Sequence, residues 1–193
     1  MSDITNILIV GVGGQGTILA SKVLAGVVQK KGLDVKVAEI HGMSQRGGSV
    51  FTQVRYGKNV ASPTIPHGEA DILLAFEKLE ALRWLPFLKK DGIMLINDQR
   101  IDPMPVITGS AQYPPDALDT IKENCPNATV IDGLEEAVKA GNVKAVNMVL
   151  LGFLSSFLDF DKEIWLKVMK DTIPLKLLDV NIKAFEAGRS KEK

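Results

Sequence analysis

The feature of this sequence that most restricts its fold is a glycine-rich turn between a short apolar run and an amphipathic segment. Residues 7–10 read ILIV, residues 11–17 read GVGGQGT, and apolar side chains then recur at helical spacing as far as residue 31. Glycines allow a tight turn and a close backbone approach, and the N-terminus of a following helix attracts anions. With an apolar strand at residues 35–40, the pattern predicts a right-handed βαβ unit.

The remaining segments predict an α/β fold: a Rossmann-like three-layer domain with a mainly parallel sheet and a helical C-terminal third. Further strands are expected at residues 47–57, 71–76, 92–97 and 128–131, and further helices at residues 78–88, 115–124, 133–140, 143–158, 161–170 and 177–187. The proline-rich residues 98–115 are expected to be mostly loop, with one edge strand at residues 106–108. We expect residues 1–193 to form a single domain whose charged tail, residues 189–193, is frayed.

Composition excludes several classes of protein. Lys+Arg and Asp+Glu both number 23, so there is no electrostatic argument for binding nucleic acid or an anionic membrane. The single cysteine, Cys125, excludes an internal disulfide and a cysteine-built metal or iron–sulfur site within one chain. The first ten residues have no basic signal region, and the longest apolar run, residues 148–154, is too short to span a bilayer. We therefore expect a cytoplasmic protein.

The glycine turn has the spacing of a dinucleotide-binding site. Gly11, Gly13 and Gly16 occupy the three glycine places, and Glu39 lies where an acidic residue would hold a ribose. However, the second mononucleotide half is short and interrupted by proline-rich loop, and no catalytic constellation follows it. A stand-alone NAD- or FAD-binding oxidoreductase therefore remains an alternative interpretation.

A second glycine-dense segment, HGMSQRGGSV, follows the second predicted strand at residues 41–50. Both loops follow the C-terminal ends of strands that we expect to be neighbours, so they should converge at one crevice. The two histidines of the chain have no metal-ligand spacing, so no metal site is expected. The predicted crevice residues, which form a polar surface for an anion or another chain, are Gly11, Gly13, Gly14, Gln15, Gly16, Thr17, His41, Ser44, Gln45, Arg46, Gly47 and Gly48.

The polar residues of this crevice each have more than one interpretation. Arg46 has a guanidinium fork suited to a carboxylate or phosphate, or it forms a salt bridge to a partner subunit or to Glu39. His41 is a proton donor at the crevice, or it holds the loop as a structural residue. Gln15 and Gln45 carry no charge for acid–base chemistry, so positioning hydrogen bonds are expected, either to a partner or within the two loops.

Three further polar residues follow the C-terminal ends of other predicted strands. Glu77 comes directly after DILLAF, and Asp98 and Arg100 come after GIMLIN. Each is placed to face the crevice, and capping of a helix N-terminus is a sufficient explanation for Glu77. The apolar helix at residues 146–158 is expected to be core or subunit interface.

Taken together, GVGGQGT and EIHGMSQRGGSVFTQVRYG closely resemble the gamma-type domain of the 2-oxoacid:ferredoxin oxidoreductases, and within that family the small (beta) subunits of the indolepyruvate enzymes. The resemblance continues through IPHGEADILLAFEKLEALRWLPFLKKDGIMLIND, AVNMVLLGFLS and DVNIKAFEAG. It covers nearly the whole chain. The pair of glycine-rich segments is far more specific than the glycine turn alone.

The resemblance implies a subunit of a multi-component enzyme, inactive alone. That enzyme oxidatively decarboxylates a 2-oxo acid, here an arylpyruvate such as indolepyruvate, transfers the acyl group to coenzyme A and reduces ferredoxin. The resemblance places thiamine diphosphate, Mg²⁺ and the iron–sulfur (4Fe-4S) clusters on a large partner subunit and no cofactor on this chain. The glycine turn then belongs to the subunit contact or to a wall of the substrate or coenzyme A route. A gamma subunit of the pyruvate or 2-ketoisovalerate type is the alternative.

Overall fold

A six-stranded sheet is the frame of the fold. The computed structural model describes residues 4–41 and 47–191, with the backbone alone at His41. Within these residues the strand order is β2-β3-β1-β4-β5-β6. The strands are β1 (Ile4–Val12), β2 (Asp34–His41), β3 (Ser49–Gly57), β4 (Ala70–Ala75), β5 (Leu88–Asn97) and β6 (Ala128–Ile131).

Helices cover both faces of this sheet. The described helices are α1 (Thr17–Lys30), α2 (Lys78–Trp84), α3 (Met104–Ile107), α4 (Ala117–Asn124), α5 (Gly133–Ala140), α6 (Val146–Ser156), α7 (Lys162–Thr172) and α8 (Leu175–Arg189), with 3₁₀ turns at Leu85–Phe87 and Val143–Ala145. Buried residues of α1 and α5 to α8 form one core with strand residues such as Ile9 and Val54. Residues of α2 and α4 form the second core with Leu8 and Val10. The predicted three-layer architecture and the helical C-terminal third are confirmed.

The sheet is mainly parallel, as predicted, but β1 and β2 are not neighbours. β1, β4, β5 and β6 pair in parallel, whereas β3 lies antiparallel between β1 and β2. The connection between β2 and β3 is short, and strands joined in that way pair antiparallel. β3 pairs with the side of β1 that faces away from β4. This pairing covers the whole of β1, from the pair Ile4–Gly57 to the pair Val12–Ser49. The prediction of adjacent strands at this crevice was therefore wrong.

Two local predictions were also wrong. The expected edge strand at residues 106–108 belongs instead to the short helix α3 and its C-cap residue Thr108. Pro103 at its N-cap and Pro105 in its first turn favour that helix start, because proline fixes the helical φ and needs no hydrogen-bond partner there. The predicted fraying of residues 189–193 is wrong for Arg189, which ends α8 and donates to the Ser155 carbonyl at 2.8 Å, while residues 192–193 lie outside the described residues.

The apolar helix expected at residues 143–158 lies inside the molecule. It comprises a 3₁₀ turn followed by α6, and nine of the eleven α6 residues are buried. No helix in the described part of the chain is long and apolar enough to cross a bilayer.

Candidate functional site

The glycine turn and the start of β3 are joined by main-chain hydrogen bonds. The Gly13 N–H donates to the Gly48 carbonyl at 2.9 Å, and the Gly47 N–H donates to the Gly13 carbonyl at 3.4 Å. β2 ends at His41, and β3 begins at Ser49 on the same edge of the sheet. The chain therefore leaves and re-enters the sheet beside the glycine turn, although β3 separates the two parallel strands.

The N-terminus of α1 has the features of an anion-binding end. Its N-cap residue is Gly16, which has a φ of 84°. No side chain caps the first N–H groups of the helix, and its first turn contains no acidic residue. A Cβ at Gly16 would lie 2.6 Å from Nδ2 of Asn147, so the turn needs glycine both for its backbone angle and for space. The first N–H groups of a helix have no partner within the helix and carry partial positive charge.

A cavity of about 440 Å³ opens between this turn and the ends of β2 and β3. Its lining residues are Gly13, Gly14, Gly16, Thr17, Ile18, Glu39, Ile40, Val50, Phe51 and Thr52. Glu39 contributes the one charged side chain among them and already accepts a 2.9 Å hydrogen bond from the Ser21 hydroxyl. Most of the other side chains are apolar, so the cavity suits an apolar group, and the N-terminus of α1 beside it attracts an anionic one.

Gln15 turns inward from the glycine turn. Its Oε1 accepts from the Val12 N–H at 2.7 Å, and its Nε2 donates to the Phe76 carbonyl at 2.9 Å and to Oε1 of Gln99 at 3.0 Å. The partners of Gln15 therefore belong to its own turn and to the segments that follow β4 and β5. These contacts fix the Gln15 side chain, and the described part of the second loop does not take part in them.

Glu77 caps α2 and does not open into the crevice. One carboxylate oxygen accepts from the Glu80 N–H at 2.9 Å, and the other accepts from the Tyr113 hydroxyl at 2.6 Å. The guanidinium of Arg100 lies 4.3 Å from the centre of the Tyr113 ring. Burial, and then the hydrogen bond to Glu77, raises the pKa of the Tyr113 hydroxyl above its ordinary range. Asp98 pairs with Lys78 at 2.7 Å.

Some of the predicted site lies outside the described residues. Ser44, Gln45 and Arg46 fall in the gap at residues 42–46. The side chain of His41 also lies outside the described part of the chain. Of the remaining predicted residues, the structure brings together the glycine turn and Gly47 and Gly48.

Four polar residues near this edge were missed by sequence reasoning. They are Asn97, Gln99, Tyr113 and Asn147, all of which hydrogen-bond to the glycine turn or to its neighbours. Asn147 lies in the segment AVNMVLLGFLS, whose resemblance to the family was its one available signal. Gln99 and Tyr113 lie in a proline-rich connection that carries no periodic pattern.

The described side chains do not form a donor set for a metal ion or a cluster. In residues 4–41 and 47–191 there is no group of three or more His, Cys, Asp and Glu side chains arranged around a common point. Cys125 is buried, and burial raises the pKa of its thiol. A single buried thiol does not fit an iron–sulfur cluster, which needs several thiolates.

The family model described as pyruvate ferredoxin/flavodoxin oxidoreductase matches residues 6–191. The chain belongs to the pyruvate ferredoxin/flavodoxin oxidoreductase family. Two relatives in this family are named indolepyruvate oxidoreductase subunit IorB. The one from Pyrococcus horikoshii is 42% identical over 190 residues, covering 95% of this chain and 93% of the relative. The one from Methanothermobacter thermautotrophicus is 40% identical over 187 residues, covering 95% of each.

Solved structures of two other proteins share the fold. The gamma subunit of a keto/oxoacid ferredoxin oxidoreductase from Geobacter sulfurreducens has a TM-score of 0.71 at 23% identity, with 95% of each chain covered. A 2-oxoglutarate:ferredoxin oxidoreductase from Magnetococcus marinus has a TM-score of 0.77 at 21% identity, covering 98% of this chain but 31% of that longer chain. In the second protein, therefore, this fold is one part of a larger polypeptide.

Proposed function

We propose that this chain is the small subunit of an arylpyruvate:ferredoxin oxidoreductase, with indolepyruvate as the representative substrate. The holoenzyme would oxidatively decarboxylate the 2-oxo acid, transfer the acyl group to coenzyme A and reduce ferredoxin. The observation that carries this proposal is the identity of 40% and 42% over 95% of the chain to relatives named indolepyruvate oxidoreductase subunit IorB. We propose that residues 1–193 act as one gamma-type domain.

We propose that the partner subunit, and not this chain, holds the cofactors of this reaction. One buried cysteine cannot supply the thiolates of a cluster, and no candidate metal group occurs among the described side chains. When bound to the large subunit, thiamine diphosphate supplies the carbanion chemistry of decarboxylation, and the clusters carry electrons to ferredoxin. The contribution of this chain is then a surface that completes the partner's site.

The glycine-turn edge is the part of the chain we assign to that surface. Its uncapped helix N-terminus offers N–H groups to an anion, and the adjacent cavity of about 440 Å³ is lined mainly by apolar side chains. This combination suits a ligand with an anionic and an apolar part, such as coenzyme A, or an apolar side chain of the large subunit next to an acidic one. We propose Arg46 and His41 as contacts to that ligand or partner, flanked by Ser44, Gln45, Gly47 and Gly48.

The alternative of a stand-alone NAD or FAD enzyme is disfavoured by strand order. Glu39 and Ile9 both pair with Thr52, so β3 lies between them and Glu39 is about 10 Å from β1 instead of about 5 Å. In a dinucleotide fold the acidic residue lies at the end of the strand adjacent to the glycine turn. Here its carboxylate is also engaged by Ser21 at 2.9 Å.

Co-expression with the large thiamine-type subunit tests the proposal. We expect a stable complex that reduces ferredoxin with indolepyruvate and coenzyme A, and no turnover by either subunit alone. A higher kcat/KM for pyruvate or 2-ketoisovalerate than for arylpyruvates would favour the alternative gamma-subunit assignment. Micromolar binding of NAD or FAD to the isolated chain by calorimetry, together with dehydrogenase activity, would contradict the subunit role.

A further inference from the structure

A ring of amide hydrogen bonds joins the glycine turn to two neighbouring segments. Nε2 of Gln15 donates to the Phe76 carbonyl at 2.9 Å and to Oε1 of Gln99 at 3.0 Å. Nδ2 of Asn97 donates to the same two acceptors, at 3.1 and 3.0 Å. Two amide groups thus place both of their hydrogens on two shared oxygens. We call these three side chains and the Phe76 carbonyl the amide brace.

The amide brace ties together the C-terminal ends of β1, β4 and β5, and through Asn97 it reaches the start of α5. Gln15 belongs to the turn after β1, Phe76 to the end of β4, and Gln99 to the segment after β5. Asn97 is 1% exposed, and its Oδ1 accepts from the Gly133 N–H at the start of α5 at 2.9 Å. The Asn97 amide is buried with both of its hydrogens and its oxygen bonded, which fixes one geometry because a displacement would leave a buried polar group unpaired.

Main-chain bonds to Gly47 and Gly48 and the Asn147 amide hold the ends of the glycine turn, and Gln15 holds its middle. Gly14 and Gly16 have positive φ angles, and no side chain caps α1. Gln15 supplies the restraint: its Oε1 accepts from the Val12 N–H at 2.7 Å and lies where a Cβ on Gly11 would meet it at 2.9 Å. The Gln15 side chain therefore connects the turn to the ends of β4 and β5, where Asn97 is buried.

We propose that the amide brace positions the glycine turn for the partner subunit's reaction, and that Gln99 and Asn97 are positioning residues of the assembled enzyme together with Gln15. This inference rests on the proposed function and adds residues that act through the turn rather than on substrate. Misplacement of an active-site wall by about 1 Å can lower a rate by about 100-fold. The brace would then affect turnover by the holoenzyme more than assembly of its subunits.

The chemistry of the brace predicts opposite responses to the same substitution at two positions. Gln99 contributes its acceptor Oε1, so Gln99→Glu keeps both hydrogen bonds, whereas Gln99→Met removes them. Gln15 contributes the donor Nε2, so Gln15→Glu directs an anionic oxygen at the Phe76 carbonyl. We expect the purified complex to retain turnover within about two-fold with Gln99→Glu and to lose about ten-fold or more with Gln99→Met and with Gln15→Glu.

The experiment measures kcat and KM for indolepyruvate and coenzyme A on purified complexes, normalised to the amount of assembled complex. Val168→Ala, a buried change in α7 away from the sheet edge, is the control for lost stability alone and should leave turnover unchanged. The double variant Gln15→Met with Gln99→Met should lose less than the product of the two single losses, because one ring is broken in all three.

Turnover by assembled Gln15→Glu and Gln99→Met complexes equal to that of the Val168→Ala complex would overturn the role of the brace while leaving the proposed function in place. A wild-type complex that oxidises no 2-oxo acid would overturn the proposed function and the brace's role with it. If Gln15→Glu does not fold, the partly buried position 99 decides the matter: equal activity of Gln99→Met and Gln99→Glu overturns the inference.

Discussion

The Tyr113 hydroxyl donates a 2.6 Å hydrogen bond to the carboxylate of Glu77, 36 residues earlier in the chain. Both residues are buried, with exposed fractions of 8% for Tyr113 and 1% for Glu77. The same carboxylate oxygen accepts from the Ile101 N–H at 3.2 Å. Ile101 lies near the start of the connection between β5 and α4 and Tyr113 near its end, so Glu77 holds both ends of this connection. A carboxylate that caps a helix thus also holds a proline-rich segment on the sheet edge.

Tyr113→Phe should therefore destabilise the chain. The substitution keeps the ring beneath Arg100 but removes one hydrogen bond from a buried carboxylate, at a cost of about 1.5–3 kcal/mol. Urea unfolding followed by circular dichroism measures the difference. Thr108→Val is a matched control, because the Thr108 hydroxyl bonds to local carbonyls on an exposed turn and should change stability by less than about 0.5 kcal/mol. Equal losses from the two variants would contradict the role given to Glu77.

Stability should also fall at alkaline pH as tyrosine ionises. The chain has two tyrosines, and burial is the main cause that raises the pKa of both Tyr56 and Tyr113 above the ordinary value of 10.0. A raised pKa means that the folded protein keeps its proton longer than the unfolded chain. The stability this contributes is present below pH 10 and is lost as pH rises through the raised pKa.

The measurement is the tyrosinate absorbance of the native protein, with unfolding free energies between about pH 9 and 11. We expect fewer than half of the tyrosines to be ionised at about pH 10, and a shallower decline of stability in Tyr113→Phe than in the wild type. A folded protein with normal tyrosine titration would contradict this prediction.

The sequence predicts those parts of the fold that leave a periodic pattern of apolar residues or a characteristic turn motif. Apolar runs indicated β1, β4 and β5, and the glycine turn indicated the start of α1, because burial and turn chemistry leave a local pattern. The place of β3 between β1 and β2 was not predictable, because strand pairing is a long-range property that no local pattern records. The short helix α3 was missed because proline is compatible with both a loop and a helix start.

In the candidate site, too, local features could be predicted from the sequence and long-range contacts could not. Gly16 was identified because a positive φ and close packing demand glycine, and this demand is visible as a motif. Asn147, 131 residues away, donates to the Gly16 carbonyl at 3.3 Å, yet nothing near it in the sequence indicates that contact. Hydrogen-bond partners that come together through the fold carry no local signal.

Two glycines on neighbouring helices should resist substitution. A Cβ on Gly152 in α6 would lie 1.9 Å from the Phe185 carbonyl oxygen, and one on Gly188 in α8 would lie 1.9 Å from that of Val149. Because the obstacle is backbone, the helices must separate, and Gly152→Ala or Gly188→Ala should cost about 3 kcal/mol or more. Gly26→Ala is the control, since its Cβ meets a side-chain methyl of Val168. Thermal unfolding that ranks Gly26→Ala as the most damaging of the three would contradict this packing.

Arg189 should stabilise the C-terminal end of α8. Its guanidinium donates to the Ser155 carbonyl and hydroxyl, both at 2.8 Å, and to the Phe160 carbonyl at 3.4 Å. Arg189→Met keeps the apolar stem and removes these bonds, and we expect a loss of about 1–3 kcal/mol in urea unfolding. Lys183→Met lies on the exposed face of the same helix and should stay within about 0.5 kcal/mol of the wild type. If Lys183→Met lost stability and Arg189→Met did not, this role for Arg189 would be ruled out.

The contact between Gly16 and Asn147 can be tested by a double-mutant cycle. Gly16→Ala introduces a Cβ 2.6 Å from Nδ2 of Asn147 and places alanine at a φ of 84°. The backbone angle alone costs about 1–2 kcal/mol, and the clash adds to it. Asn147→Ala removes the clash but not the backbone cost, so the double variant should lose less free energy of unfolding than the sum of the two single losses.

The coupling expected from residues in direct contact is about 0.5–3 kcal/mol, measured by urea unfolding of the four proteins. Gly14→Ala is the matched control: it has a φ of 104° and nothing within 4 Å of the added Cβ, so it should lose free energy through its backbone angle alone. Its combination with Asn147→Ala should be additive. Additive losses for Gly16 as well would show that Asn147 does not limit the space at the turn, and that the backbone angle alone demands glycine there.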